Sequence, residues 1–153
     1  MKERLYASYG RLPRWLRRFV IRRIGPSYQV GAACVIRRAN GDVLLVRNSY
    51  RTGWGLPGGL LRRREAAEAG ARREVREEVG LDVVIDSVAR VAVTPDVRRI
   101  DVVFTAHVPP GQESAAAPTS PEIVEVGWFA VGCLPALQTE MTPLLTLVGV
   151  PIS

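Results

Sequence analysis

The chain has 153 residues, of which 47% are hydrophobic and 24% charged, and its formal net charge is +6 at pH 7. This length and apolar content indicate one globular domain with a substantial core and exclude an intrinsically disordered tail protein. No apolar run approaches the roughly 18 residues of a membrane-spanning helix, and two cysteines are too few for a disulfide scaffold or a structural zinc site, so a cytoplasmic location is expected.

The positive charge is concentrated at the N-terminus. Residues 1–24 contain eight basic side chains and one acidic one, whereas the other 129 residues contain 13 basic and 14 acidic ones. Residues 1–25 are predicted to form a basic amphipathic helical extension, because Gly25-Pro26 ends a pattern of apolar residues at steps of three and four. We expect its Leu/Trp/Phe stripe to pack on the domain of residues 26–153. Contact of residues 1–24 with a membrane surface or with nucleic acid is the alternative.

The rest of the chain alternates between strand and helix patterns. Apolar, β-branched stretches predict strands at 28–36, 43–46, 83–93, 100–108 and 123–129, the first two joined by an Asn40-Gly41 turn. A Gly/Pro-rich passage at 52–59 precedes one clear helix at 66–79, which Gly80 is expected to end. A polar loop at 109–121 and a short helix beginning near Pro143 complete an α/β fold around one sheet.

Three carboxylates occupy one side of the predicted helix. Glu74, Glu77 and Glu78 are spaced i, i+3 and i+4, so they fall within about 100° of the helix circumference. Such carboxylates repel each other unless cations neutralise them, and hard oxygen donors without a nearby Cys or His favour Mg²⁺ or Mn²⁺ over zinc. A solvated face with ion pairs such as Arg73–Glu77 is the alternative. The preceding glycines can approach a pyrophosphate closely, which favours metal-dependent phosphate chemistry.

The spacing of this segment resembles the Nudix box at every specified position. The matching positions are Gly59, Glu65, Arg73-Glu74-Val75, Glu77-Glu78 and Gly80-Leu81. The WGLPGG before the box and the EIVEVGWFAVGCLP after it also resemble Nudix sequences. The resemblance therefore covers residues 28–137.

The resemblance implies an α/β/α sandwich with a mixed β-sheet. It also implies an enzyme that cleaves a nucleoside diphosphate linked to another moiety, by water attack on phosphorus with bound divalent ions. By position, Glu74, Glu77 and Glu78 would bind the metal, with the Gly59 carbonyl as a further ligand. Gly58 and Gly59 would contact the substrate, Arg73 would orient a box glutamate, and Glu65 would be structural or a distal ligand. A box glutamate or the later Glu122 would be the general base, with Glu113 and Glu125 as alternatives to Glu122.

Several assignments stay open. Arg47 and Arg51 are candidates to bind an anionic substrate, although both also fit as ordinary surface residues. Nucleoside triphosphates, nucleotide sugars and dinucleotides all stay open as substrates. The oligomeric state also stays open, with a homodimer as one candidate. The alternative function is a catalytically weak Nudix-fold module that senses a nucleotide, or that associates with RNA or a membrane through its N-terminal helix.

Overall fold

A computed structural model describes residues 13–25, 27–86 and 89–152. Residues 1–12 of the predicted extension and Pro26 lie outside the described residues. The helices and strands, in chain order, are α1 (Arg14–Ile24), β1 (Gln29–Arg37), β2 (Val43–Asn48), β3 (Gly58–Leu60), α2 (Ala67–Val79), β4 (Val84–Ile85), β5 (Arg90–Thr94), β6 (Arg99–His107), β7 (Ile123–Phe129) and α3 (Met141–Leu147). Short 3-10 helices lie at Glu113–Ala115, within the predicted loop, and at Val131–Cys133.

The strands form one mixed sheet in the order β4-β6-β1-β2-β7. Strand β1 runs parallel to β6 and antiparallel to β2, which in turn pairs antiparallel with β7. Because consecutive strand residues point to opposite faces, β1 supplies two separate apolar layers. Cys34 and Ile36 pack with Val75 of α2, whereas Val35 packs with Leu145 of α3. The two helices therefore cover opposite faces, which confirms the predicted α/β/α arrangement.

The glycine-rich passage contains a strand that the sequence pattern does not predict. Strand β3 pairs antiparallel with β1, with Ala33 opposite Gly58 and Ala32 opposite Gly59. On the other side, Gly55 bridges Val46 of β2. Strands β1 and β2 are in register only at Arg37 and Val43, so the passage fills the space where they separate. Apolar alternation cannot reveal a strand made of glycines, which have no side chains to alternate.

The prediction of one strand over 83–93 is wrong. Strands β4 and β5 both pair antiparallel with β6, but Ile85 lies opposite Ala106 whereas Arg90 lies opposite Val103. Between these two pairs, the chain advances five residues from β4 to β5 but only three along β6. The two pairings therefore cannot belong to one continuous strand.

Helix α2 matches its prediction closely and ends at a left-handed Gly80 with φ of 70°. Gly70, in its middle, lies where a Cβ atom would be 2.3 Å from Leu61 Cδ2 and 3.1 Å from Glu65 Oε2. The glycine therefore lets the segment before the helix approach the helix closely. The terminal helix begins at Met141, two residues earlier than predicted, which places Pro143 in its first turn, where proline is tolerated.

The prediction that the aromatic residues of α1 pack on the domain is wrong. Trp15 is 70% exposed and Phe19 is 56% exposed, whereas Leu16 is half-buried. Trp15 and Phe19 are one helical turn apart, about 40° from each other, and Leu16 lies about 100° from Trp15. The helix is rotated so that its aromatic edge faces outward. Within the described residues, every helix is too short or too polar to cross a bilayer.

Substitution of Gly58 tests how tightly β3 fits against β1. A Cβ atom at this position would lie 2.4 Å from the Ala32 carbonyl oxygen and 2.6 Å from the Ala33 Cα atom. Because the clash is with backbone, Gly58→Ala should lower the free energy of unfolding by roughly 3 kcal/mol, measured by chemical denaturation. Gly132→Ala is the control, since a Cβ there meets no atom within 4 Å, and it should change stability by less than about 0.5 kcal/mol. Equal stability of the two variants would contradict the close approach.

Candidate active site

A cleft of about 600 Å³ lies where α2, β1 and β3 meet the loop before β7 and the start of α3. The predicted site residues that line it are Gly58, Gly59, Arg51, Arg73, Glu74, Glu77, Glu78 and Glu122. The fold thus brings together residues from four separate parts of the chain. Arg47 does not line this cleft.

Arg73 binds three carboxylates at once. Its Nε and one terminal nitrogen donate to the two oxygens of Glu65 at 2.7 and 2.9 Å. The other terminal nitrogen donates to Glu74 at 2.7 Å and to Glu77 at 3.0 Å. The planar guanidinium suits this arrangement, because it presents several donors in fixed directions. Arg73 therefore contacts two of the three box glutamates as well as Glu65.

Glu65 occupies a structural position in this arrangement. Besides Arg73, it accepts a hydrogen bond of 2.7 Å from the backbone N–H of Arg62. The hydrogen bonds from Arg73, followed by the one from Arg62, lower the pKa of Glu65 to about 2. The three carboxylates in turn raise the pKa of Arg73, with Glu65 the largest contributor. Glu65 thus stays ionised at neutral pH and holds the guanidinium in place.

Glu78 is in a different environment from the other two box glutamates. It is only 7% exposed, and its carboxylate accepts a hydrogen bond of 2.8 Å from the backbone N–H of Gly58. Burial raises its pKa to about 8; the Gly58 hydrogen bond opposes the shift, while the negative charges of Glu74, Glu122 and Glu77 add to it. Unlike Glu74 and Glu77, which pair with Arg73, Glu78 has no arginine partner among the described residues.

The glycines of β3 make room for these carboxylates. A Cβ atom on Gly59 would lie 2.7 Å from the carboxyl carbon of Glu74. Any side chain at this position would displace that carboxylate. Gly58 and Gly59 thus shape the site through their small size, and Gly58 also donates its backbone N–H to Glu78.

Glu122 approaches the cleft from the loop before β7. Its carboxylate accepts a hydrogen bond of 3.3 Å from the Tyr50 hydroxyl. Burial, followed by the negative charge of Glu122, raises the pKa of Tyr50. The two alternatives to Glu122 do not line the cleft. Glu113 lies in a 3-10 helix, and Glu125 pairs with Arg47 at 2.7 Å.

The two candidate arginines of β2 and its following turn have different positions. Arg51 lines the cleft and forms an ion pair with Glu140, while its guanidinium also donates to Gln138 at 3.3 Å. Arg47 lies directly opposite Glu125 on the neighbouring strand, and the two side chains pair. Both arginines thus form ion pairs, and of the two Arg51 lines the cleft.

Arg99 and Asp101 also line the cleft, and the sequence analysis did not identify them. Asp101 is 7% exposed and accepts hydrogen bonds of 2.8 and 2.9 Å from Arg99 Nε. A Cβ atom on Gly31 of the adjacent strand would lie 2.8 Å from the Asp101 carboxylate, so this glycine makes room for the pair. The available signal was an aspartate between Ile100 and Val102, since a charged residue inside an apolar strand indicates a paired or functional group.

The donor set of the cleft suits a hard divalent cation. Glu74, Glu77, Glu78 and Glu122 supply carboxylate oxygens, and Gly59 supplies a backbone carbonyl. Within residues 13–25, 27–86 and 89–152, no three acidic, His or Cys side chains already converge on one point. Arg73 and the Gly58 N–H hold the box carboxylates instead. Side-chain rotation would therefore accompany metal binding.

Comparisons with known proteins agree with this arrangement. A family model described as the NUDIX domain matches residues 27–146. The MutT-like protein of Streptomyces ambofaciens is 34% identical over 104 residues, which cover 68% of this chain and 65% of that protein, just under two thirds of its length.

Two solved structures resemble the whole sandwich. The MutT NUDIX hydrolase of Burkholderia pseudomallei is 26% identical with a TM-score of 0.64, and the match covers 80% of this chain and 98% of that one. The ADP-ribose pyrophosphatase of Streptococcus suis is 25% identical with a TM-score of 0.62, over 79% of this chain and 89% of that one.

The buried carboxyl group of Glu78 should make the stability of the metal-free protein depend on pH. Its pKa is about 8 in the folded chain against an ordinary value of 4.5, so between these values the folded state binds the proton more tightly. This contribution to stability is complete below pH 4.5 and is lost as the pH rises to about 8, at no more than about 1.4 kcal/mol per pH unit. Unfolding of the metal-free protein, measured from pH 5 to 8, should show this decline, and Glu78→Gln should reduce it.

The exposed Asp96, in the turn between β5 and β6, provides the control. Asp96→Asn should retain the pH dependence of the wild type. Parallel stability curves for wild type and Glu78→Gln would contradict the assignment of this shift to Glu78.

Proposed function

The chain belongs to the Nudix family, and on this premise we propose that it is a pyrophosphohydrolase. Its substrate would be a nucleoside diphosphate linked to another moiety, cleaved by attack of water on phosphorus. One observation carries the proposal: the cleft collects Glu74, Glu77, Glu78 and Glu122 beside the glycines of β3. Four carboxylates that line one cleft repel each other unless cations are present, so their presence together supports a metal-dependent site.

We propose that Glu74, Glu77 and Glu78 hold Mg²⁺, or Mn²⁺ in its place, with the Gly59 carbonyl as an additional ligand. When bound, divalent ions polarise the pyrophosphate and lower the pKa of the attacking water. The carboxylates of Glu74 and Glu77 are already oriented by Arg73. Glu78 sits on the floor of the cleft, where its hydrogen bond to Gly58 fixes its position. All the side-chain donors are oxygens, which supports a hard cation over zinc.

We propose Glu122 as the general base, with the box glutamates Glu74 and Glu77 as the other candidates. Glu122 is exposed to solvent at the cleft and therefore has access to water. Its carboxylate accepts a hydrogen bond of 3.3 Å from the Tyr50 hydroxyl, and no arginine of the described residues pairs with it. Arg73 occupies oxygens of Glu74 and Glu77, whereas the exposed carboxylate of Glu122 stays accessible to the attacking water.

The opposite part of the cleft would hold the substrate. Arg51 lines the cleft and would contact an anionic group by exchanging its ion pair with Glu140, and the backbone of Gly58 and Gly59 would contact a phosphate. The Arg99–Asp101 pair presents a donor and an acceptor side by side, which suits the polar edge of a nucleobase or a sugar. Arg47, paired with Glu125, is the weaker of the two predicted arginine contacts.

The proposed substrates all share one feature, a pyrophosphate beside a nucleoside. ADP-ribose, the substrate in the name of the Streptococcus suis relative, is a nucleoside diphosphate linked to a sugar. Nucleoside triphosphates, nucleotide sugars and dinucleotides all contain the same pyrophosphate beside a nucleoside. We propose one of these three classes, and a cytoplasmic enzyme, since two free cysteines fit a reducing compartment.

Replacement of Glu77 tests the catalytic proposal. Glu77→Gln keeps the size of the side chain but removes its charge, so kcat/KM on a panel of nucleoside triphosphates, nucleotide sugars and dinucleotides with Mg²⁺ should fall roughly 10²- to 10⁴-fold. Release of phosphate or of a nucleoside monophosphate is the measurement. Chelation of the metal should abolish turnover of the wild type.

Glu68→Gln is the matched control, because Glu68 lies on the same helix but pairs with Arg72 outside the cleft. It should retain the wild-type rate. If the wild type binds nucleotides but turns over no member of the panel, the protein is a nucleotide-binding module and not a hydrolase.

Arg73 should act as a positioning residue for the metal ligands. Arg73→Lys keeps the positive charge but cannot contact Glu65, Glu74 and Glu77 together. We expect the affinity for Mn²⁺, measured by calorimetry, to fall about 10- to 100-fold, as is usual when a group that orients a metal ligand is lost. Arg72→Lys, at the adjacent position, should leave the affinity unchanged. A loss of thermal stability in Arg73→Lys without a change in Mn²⁺ affinity would assign Arg73 a purely structural role.

A further inference from the structure

Helix α1 presents two large aromatic side chains to solvent. Trp15 is 70% exposed and Phe19 is 56% exposed. The guanidinium of Arg23 lies 5.9 Å from the centre of the Phe19 ring. Neither Trp15 nor Phe19 belongs to an apolar cluster of the described residues. Exposed tryptophan and phenylalanine one turn apart are unfavourable in water, so this edge of the helix is suited to contact with another surface.

Four of the five arginines of α1 occupy helix positions within about 100° of Trp15 or Phe19, whereas Arg17 lies on the opposite side. At 100° per residue, positions 14, 18 and 22 and positions 15 and 19 form one continuous sector of about 140°. The helix contains five arginines and no acidic residue. Arg14 and Arg23, the two arginines on this side of the helix whose side chains are described, form no ion pair with a described carboxylate. The helix therefore combines apolar rings with unneutralised positive charge.

We propose that this face of α1 docks on the surface of a membrane containing anionic lipids. Aromatic rings partition to the level of the lipid head groups, and arginines beside them are attracted to the lipid phosphates. Eleven residues of helix are about 16 Å long, too short to span a bilayer but long enough to lie in its interface. The charge complementarity identifies the partner as an anionic surface.

The shape of the helix favours a membrane over a nucleic acid. Proteins that bind single strands stack bases on aromatic side chains within a positively charged groove. Trp15 and Phe19 instead lie on the convex outer surface of a single helix, where a flat interface can contact both rings at once. The docked protein would hold its cleft near the membrane without any change in the site itself.

Vesicle co-sedimentation of the full chain tests the proposal. Wild type should bind vesicles of phosphatidylglycerol and phosphatidylcholine in equal amounts, and bind pure phosphatidylcholine vesicles at least tenfold more weakly. The double variant Trp15→Ser, Phe19→Ser should lose at least tenfold in affinity for the anionic vesicles. Added salt should weaken wild-type binding, because it screens the arginines.

The control replaces two other exposed apolar residues, Val91→Ser with Val93→Ser on β5, which are 53% and 56% exposed. It should bind the vesicles like the wild type. Circular dichroism should show that both double variants are folded, and their hydrolytic rates in solution should be unchanged, since neither pair lines the cleft. Equal vesicle binding by wild type and the Trp15/Phe19 variant would overturn the proposal. Binding to a single-stranded RNA but not to the vesicles would also overturn it.

Discussion

The absence of side chains at Gly58 and Gly59 is the constraint on which the cleft depends. A Cβ atom on Gly58 would overlap the backbone of β1, and one on Gly59 would overlap the carboxylate of Glu74. Because both positions are glycine, β3 can lie directly against β1 while the acidic side of α2 approaches it. The same approach brings the Gly58 N–H to the buried carboxylate of Glu78. The helix could form without these glycines, but its carboxylates would not reach the sheet.

Charge balance then divides the acidic residues into two groups. Arg73 forms ion pairs with Glu65, Glu74 and Glu77, and Arg62 forms a second one with Glu77, so these carboxylates are partly balanced. Glu78 and Glu122 have no arginine partner among the described residues, and the proximity of their charges contributes to the raised pKa of Glu78. A protein gains no stability from unneutralised acids held close together. Their retention beside an ordered set of paired ones is the pattern expected of groups placed to bind cations and to accept protons.

The sequence predicts the parts of this structure that depend on local pattern. The periodicity and Gly80 predict α2 within one residue, and the spacing of Glu74, Glu77 and Glu78 places them on one side of it. It does not predict β3, because glycines carry no alternation, or the break between β4 and β5, which arises from pairing with a distant strand. Arg47 and Arg51 are equally plausible substrate contacts from the sequence. They are separated only by the strand register, which sets Arg47 opposite Glu125. Arg99 and Asp101 enter the cleft through the parallel pairing of β6 with β1; the charged Asp101 inside an apolar strand marks a special position, but only this long-range pairing places it in the cleft.

The distribution of charge separates α1 from the domain that it precedes. Arginines of the domain are mostly paired where the structure describes them, as with Arg62 and Glu77, Arg72 and Glu68, or Arg76 and Asp82. A paired charge contributes little to the field at a distance, whereas the arginines of α1 have no acidic neighbours in their own helix. The net charge of +6 is therefore a property of the N-terminal segment and not of the cleft. Long-range attraction to an anionic surface would act on α1, while the cleft, rich in carboxylates, attracts cations. Helix α1 and the cleft thus attract partners of opposite charge, so a metal-dependent site and a basic helix can coexist in one small chain.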